Sequence, residues 1–529
     1  MLQIDAQDKA KLIDPLFRAG IRFWVAVALL LAVIGWGGYM YVRQLIYGLS
    51  QTGMQRPAYW GVYMVNFIFF IGISHAGTLI SAILRVTGAE WRRPITRVAE
   101  AITVFALVVG TLQIIFDMGR PDRVLFVFFY GRLQSPLLWD AISVTAYLLG
   151  SVTYLYLPLI PDLAILRDNC PPTAPRWRKG LYSLLSLGWR GNRTQWVRLE
   201  KAIAVLAVII IPVAVSVHTI ISWILATTVQ PGWHSTIFGP YFVVGAIFSG
   251  IGALFMAMTI VRRLMRLENY ITTRQYRNLG LLFIAMTAIW FYFTYAEHLT
   301  LAAGQQTAEF PVLASKLWGQ FAPGFWLMVL LMGVAFWVLV IPPLLPRRAG
   351  RLVLFNPRLA VGSGVAAVIL FAVMNYSRNL PLTAALSQPG IRLTGWVLVG
   401  LALLGVGLGG AFWLKDRLVT ATVIAAVCVV VGMWLERWNI VVPTMTHPRL
   451  IPFWFYRPTL TEISLTAASV ALFILLFLLF FKLFPAVSIW EVAEGRVIDE
   501  ARSRVKIPAP TPVGAVSRPK HWGFEEGQQ

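Results

Sequence analysis

The residues best able to do chemistry in this chain are a few carboxylates and six histidines in an otherwise apolar sequence. Asp117 and Asp140 flank one short aromatic segment, "MGRPDRVLFVFFYGRLQSPLLW", which also holds Arg120, Arg123 and Arg132. Glu297 and His298 sit together in "YAEHLT", His234 in "PGWHSTIFGPY", and Glu436, Arg437 and His447 in "ERWNIVVPTMTHPR". His75, in "GISHAGTLISAILR", and His218 fall deep inside apolar runs. Carboxylates and imidazoles of this kind accept and relay protons. No Walker motif or HExxH helix is present, which argues against an ATP-driven pump and a metalloprotease-type zinc site. Cys170 and Cys428 lie too far apart in sequence to form a zinc, cluster or c-type haem motif by themselves. Haem b needs paired axial histidines, and the repeated pairs of a cytochrome b are missing.

The elements that must position these residues are membrane helices. Of 529 residues, 58% are apolar and 13% charged. That balance excludes an ordinary soluble enzyme and a disordered chain. The net charge of +22 is expected to reflect basic loops on one membrane face rather than nucleic-acid binding. Continuous apolar runs predict helices, since barrel strands would alternate. Twelve spans are expected, at 23–47, 58–84, 98–116, 137–160, 201–228, 240–261, 279–302, 323–345, 359–377, 393–413, 418–435 and 460–484. The Gly-rich pair 359–377 and 393–413 could instead be a re-entrant hairpin, which leaves ten spans. Asp5, Asp8 and Asp14 precede a long first run, so no cleaved signal peptide is expected.

Placing the N-terminus inside puts 1–22, 85–97, 161–201, 262–277, 346–358, 415–417 and 482–529 inside. These segments hold most of the 45 Lys and Arg residues, so both termini are expected to be cytoplasmic. The expected organisation is an N-terminus and peripheral helix (1–57), helices bearing the main site (58–160), a basic loop (161–200), a second bundle (201–345), an added hairpin (346–417), two further core helices (418–485) and an extended tail (486–529). The loop holds "RDNCPPTAPRWRKG" and "GWRGNRTQW". It reads as a topology-fixing segment, or as a docking or anionic-lipid surface.

Acids, histidines, arginines and Trp residues thus converge at one outer level. Such a set suits a quinone headgroup, whose oxidation from quinol needs a proton acceptor and an apolar slot. Taken singly, each residue reads equally as a helix cap, a snorkelling side chain or part of a Trp belt. Asp140 near a helix start is also a plausible N-terminal cap. His75, Arg85, Glu100 and His218 are costly within lipid. They make a candidate proton path with Glu297, His298 and Glu436, or a set of contacts that fixes helix register.

The strings "WGVYMVNFIFFIGISHAGTLISAILR", "EWRRPITRVAEAITVFAL", "GRPDR" followed by "SPLLWD", "SVHTIISW", "PGWHSTIFGPYFVVGAIFSG", "YFTYAEHLT" and "MWLERWNIVVPTMTHPRL" together resemble the NrfD/PsrC family, nearest its larger, ActC-type branch in alternative complex III. The resemblance covers about 20–345 and 418–495. It implies two four-helix bundles in a bacterial inner membrane, with quinol or menaquinol as substrate near the outer face. It implies an iron–sulfur subunit outside the membrane, multihaem cytochrome c subunits beyond it, a second NrfD-type membrane subunit, and no haem or cluster on this chain. It assigns Asp117 and Asp140 as catalytic, within a quinol-binding set of Asp117, Arg120, Ser135, Trp139 and Asp140. Many relatives have His before the "GRP" turn, where this chain has Asp117, and the added hairpin has no counterpart in the usual ten-span pattern. Other readings are the quinone-reactive anchor of another NrfD-type reductase complex, or a proton or secondary transporter without redox chemistry.

Overall fold

The computed structural model describes residues 8–55, 58–345, 362, 404, 406–447 and 455–495. The chain is an all-α polytopic membrane protein. Its main helices are α1 (Ile21–Tyr47), α2 (Val62–Val86), α3 (Thr96–Asp117), α4 (Pro136–Tyr156), α5 (Leu159–Asp168), α6 (Arg176–Leu185), α7 (Arg193–Ala226), α8 (Phe238–Leu264), α9 (Thr273–Gly304), α10 (Phe310–Leu317), α11 (Ala322–Leu344), α12 (Leu418–Thr446) and α13 (Leu460–Leu483). Among the described residues, nine helices are long and apolar enough to cross a bilayer. The pair α4–α5, bent by 42°, raises this to as many as ten. Of the span expected at 359–377 only residue 362 is described, and of that expected at 393–413 residues 404 and 406–413, all helical; the rest lie outside the described residues.

Two rings of helices make the body. Helices α2, α3, α4 and α7 pack each against the next, and so do α8, α9, α11 and α12. Helix α2 joins the rings by packing against α8 and α12. Small residues allow the closest approaches. A Cβ on Gly77 of α2 would lie 1.8 Å from the Ala99 carbonyl oxygen of α3. Outside the rings, α1 packs against α13, where a Cβ on Gly37 would fall 2.3 Å from that of Ala468.

Local chemistry sets the helix ends. Asn192 caps α7 by accepting from the Gln195 amide at 2.9 Å. Capping boxes open α9 (Thr272 with Gln275) and α13 (Thr459 with Glu462). The expected span 137–160 breaks after Tyr156, next to Pro158, which has no N–H to continue a helix.

Two expectations are corrected. Helix α12 does not stop near residue 435 but runs to Thr446, so Glu436 and Arg437 are buried within it. A hydropathy reading stops at two charges; here they sit side by side and offset one another. The tail is not extended from 486. Residues 489–495 are helical, and Ala486, Val487, Ile489 and Trp490 are buried. The Ile489 and Trp490 amides donate to Asp162, which also takes Arg97 at 2.6 Å. Residues 496–529 lie outside the description.

Candidate functional site

Chain direction places the end of α3 and the start of α4 at one end of the first ring. Asp117 is the last residue of α3. Asp140 is the fifth residue of α4, after Ser135 at the cap position, so it does not cap the helix. Each carboxylate has one oxygen, Oδ1, sealed from solvent and without a hydrogen-bond partner. Leaving a buried acceptor unpaired is costly, and two at one end of a ring mark places where a donor can be received. A quinol presents two such donors.

Beside Asp117 lies a dense polar support. The Gln44 amide donates to the Phe116 carbonyl at 2.6 Å, and the Tyr63 hydroxyl donates to Gln44 at 2.7 Å. Glu462 is within electrostatic reach of Asp117. It accepts from Tyr456 at 2.6 Å and from the Gly53 amide at 2.8 Å. These contacts tie α1, α2, α3 and α13 together around Asp117.

The remaining members of the expected quinol set stand differently. Arg120 is exposed and donates twice to Asp122, at 3.1 Å each, so its pairing is with Asp122 rather than Asp117. The GRPDR turn brings these two side chains together over two residues, which is closer than the helix end. The Trp139 indole is also exposed and closes the linker by donating to the Leu133 carbonyl at 2.5 Å. Ser135 is half-buried at the start of α4.

The expected proton-path residues form a polar column between the two ends. At the end away from Asp117, Arg85 donates to Glu491 at 2.5 Å. Burial alone would push the Glu491 carboxyl up. Arg85, Arg92 and Arg93 outweigh it and hold that carboxyl down at about 2. Deeper, Ser81 donates to Glu100 at 2.9 Å and lies 3.4 Å from the Tyr154 hydroxyl. Thr103 and Tyr147 both donate to the Ser74 carbonyl, at 2.7 and 3.1 Å. Next comes His75, whose ring faces Tyr147 and stands 4.1 Å from that of His218. The two imidazoles are in contact. His75 contacts the Ile71 carbonyl at 2.8 Å and the Ala214 carbonyl across the ring, while neither nitrogen of His218 has a partner.

Beyond His218 the column enters the second ring. Arg437 lies within electrostatic reach of His218 and over the Phe242 ring at 5.0 Å. Its Nη1 is 2.8 Å from Glu436 Oε2 but poorly aligned for a hydrogen bond. Glu436 accepts from the Trp290 indole at 2.6 Å. A small cavity of about 30 Å³ follows, lined by Glu436, Asn439, His298, Glu297, Lys316 and Glu309 among others. Burial pushes the Lys316 ammonium down to about 8, against the pull of Glu297. Glu309 pairs with His234 at 3.1 Å.

Reading the sequence alone passed over several members of this column: Tyr147, Thr103, Trp290, Lys316 and Glu491. Their types are common in helices and at interfaces, and only packing shows which face the interior. Glu462 carried a signal, because Thr459 three residues earlier spells a capping box before an apolar run.

The family model described as "Polysulphide reductase, NrfD" matches residues 50–378, more than half of the chain. The match includes the stretch 359–377, which the resemblance was expected to leave out, and it stops before α12. A Halobacterium salinarum protein, named provisionally as a membrane subunit of dimethyl sulfoxide reductase, is 32% identical over 46% of this chain and 52% of its own length. A selenate reductase subunit from Mesobacillus selenatarsenatis is 26% identical over 40% of this chain and 50% of its own. The Hdr-like menaquinol oxidoreductase integral membrane subunit of Archaeoglobus fulgidus is 24% identical over 61% of this chain and 71% of its own. The chain therefore spans about half the length of the first two relatives. With an all-helical membrane body and a match of this extent, the chain belongs to the NrfD family of membrane subunits.

Proposed function

We propose that this chain oxidises quinol at the Asp117–Asp140 end of the first ring, as the membrane subunit of an alternative complex III. The observation that carries the reading is the pair of carboxylates with sealed, unpartnered oxygens at one ring end. A quinol hydroxyl donates to each. As the ring is oxidised, two protons pass to these carboxylates, and two electrons leave for an iron–sulfur subunit docked at that end. Multihaem cytochrome c subunits carry them onward, and a second NrfD-type subunit sits alongside in the membrane. The basic-residue asymmetry supports placing this end outside and both termini in the cytoplasm of a bacterium. Asp117 does the work that His does in many relatives, since a buried carboxylate is a competent proton acceptor.

The polar column supports proton movement coupled to this chemistry, through Arg85, Glu100, His75, His218, Glu436, Glu297 and His298. Charged and polar groups at mid-depth are costly unless they have a role. A second reading runs the chemistry in reverse, as the quinone-reducing anchor of another complex. It is favoured by a relative from Nitratidesulfovibrio vulgaris named as a menaquinone reductase integral membrane subunit, 26% identical over 28% of this chain.

The test is Asp140→Asn in the purified complex. Assembly should be normal and quinol oxidation should fall by about 100-fold, the scale of one general acid–base group. Near-normal turnover would remove Asp140 from the site. Co-purifying iron–sulfur and multihaem chains support the oxidase. Electron flow from co-purifying redox chains to quinone, faster than quinol oxidation, supports the reverse reading.

A further inference from the structure

The loop between α5 and α7 takes no part in the carboxylate pair or the polar column. From residue 169 to 199 it carries six cations and no acid. Helix α6 occupies ten residues of it. At 3.6 residues per turn these sort into three stripes. Arg178, Tyr182 and Leu185 form the first, which faces the body of the protein; Arg178 and Tyr182 are buried and Leu185 is half-buried. Arg178 donates to the Leu16 carbonyl at 3.0 Å and the Lys482 carbonyl at 2.7 Å, and Tyr182 to the Leu483 carbonyl at 2.9 Å. These carbonyls lie just before α1 and at the end of α13, both membrane spans. Helix α6 is therefore pinned at the depth where spans leave the bilayer, at the end of the bundle away from Asp117. Trp177, Leu181 and Leu184 form the second stripe, which is apolar and turned outward: Trp177 is 59% exposed and Leu184 72%. Arg176, Lys179 and Ser183 form the third, which is polar and exposed, and the exposed Arg190 and Arg193 stand at the turn into α7. Asp168, the acid before the loop, is paired with Arg167 at 2.8 Å, and among the described residues no ion pair reaches Arg176, Lys179, Arg190 or Arg193.

We propose that α6 is an interfacial helix that binds anionic phospholipid, with the Trp177–Leu181–Leu184 stripe in the acyl boundary and Arg176, Lys179, Arg190 and Arg193 on the headgroup phosphates. Two observations select this partner together. The apolar stripe is costly in water and favourable at a bilayer surface, where Trp in particular settles, and the seat on α1 and α13 puts the helix at that surface. The cations beside the stripe have no counterion of their own, so they favour a headgroup with net negative charge over a zwitterionic one, whose own ammonium offsets its phosphate. Each Lys or Arg near an anionic surface contributes about fivefold in partitioning. An acidic protein would answer the charges but would have to displace lipid from the apolar stripe. The inference depends on neither the quinol site nor the polar column, so its failure would leave the proposed function untouched.

The experiment uses the whole complex reconstituted in phosphatidylcholine vesicles. One sample carries a tracer of phosphatidylglycerol, the other of phosphatidylcholine, each with the same diazirine near the glycerol end of one acyl chain. After irradiation, labelled peptides are mapped by mass spectrometry. The phosphatidylglycerol probe is expected to label residues 176–193 at least about fivefold more than the phosphatidylcholine probe. Arg176→Gln combined with Lys179→Gln should bring the two probes level there while labelling of α1 and α13 stays unchanged, which reads the intact fold. Trp177→Ser combined with Leu184→Ser should lower labelling of the segment by both probes severalfold. Equal labelling by the two probes in the native complex would overturn the proposal, showing ordinary lipid contact without selection by charge. A phosphatidylglycerol preference that survives the glutamine pair would overturn the role of these cations. Absence of labelling at 176–193 would also overturn it, and carbodiimide crosslinks from Lys179 to an acidic chain of the complex would then identify a protein partner in place of lipid.

Discussion

Glu491 offers a quantitative test of the fold's closure. Its side chain is buried, 2.5 Å from Arg85 and 3.6 Å from Arg92. Glu491→Gln keeps the shape and removes the charge, leaving the two guanidinium groups unpaired. Breaking one partner of a buried ion pair costs about 3–5 kcal/mol. The linkage route gives a similar figure. A carboxyl held at about 2 in the fold, against 4.5 unfolded, corresponds to about 3 kcal/mol. The sign follows from the direction. The folded value is depressed, so the contribution is fully present above about pH 4.5 and is lost as pH falls toward 2. Thermal unfolding of the purified complex in detergent, measured between pH 7 and 3, reads both effects. The variant should unfold several degrees lower at pH 7, and the gap should narrow steadily below pH 4.5. An unchanged midpoint at pH 7, or a gap that does not depend on pH, would refute the assignment of Glu491 as the ionised anchor of Arg85.

Arg120 is exposed and paired with Asp122, so Arg120→Leu should leave the quinol KM and the pH profile of turnover within about twofold; a larger shift in a steady-state assay would return Arg120 to the quinol site. His75→Ala should alter the proton-to-electron ratio of the reconstituted complex, and an unchanged ratio with full quinol oxidation removes His75 from any proton path. Gly77→Val places methyl groups against the Ala99 carbonyl and Thr103. It should prevent α2 and α3 from closing, read as loss of the folded chain on size-exclusion chromatography in detergent.

Ten of the twelve expected spans have counterparts among the described helices, because a continuous apolar run of about 20 residues has few other uses. Where reading failed, the reason was pairing. Glu436 and Arg437 ended the expected span in sequence, yet in space they offset one another and α12 continues past them. Glu491 looked like one acid in a polar tail until three arginines from another part of the chain were seen around it. Individual site residues were legible as types: Asp117, Asp140, His75 and His218 all stood out as polar groups in apolar surroundings. Their grouping was not. Nothing in the spacing of residues 75 and 218 announces that their rings touch. Nor does the sequence announce that Arg120, beside Asp117 in the chain, is held by the GRPDR turn against Asp122.

The seam between α1 and α13 bears on how the protein is made. Trp36 donates to Ser464 at 3.1 Å across a separation of 428 residues, and Gly37 leaves space for Ala468 alongside. At about 5–20 residues per second, roughly 20–85 s pass between synthesis of the two faces of this seam. During that interval the first span waits in the bilayer without its eventual neighbour, and its glycine-bearing flank is open to any helix that comes near. Completion of the outer layer is therefore a late event in biogenesis. A ribosome that stalls before α13 leaves α1 held to α3 through Tyr41 and Gln44 but with its glycine-bearing flank uncovered.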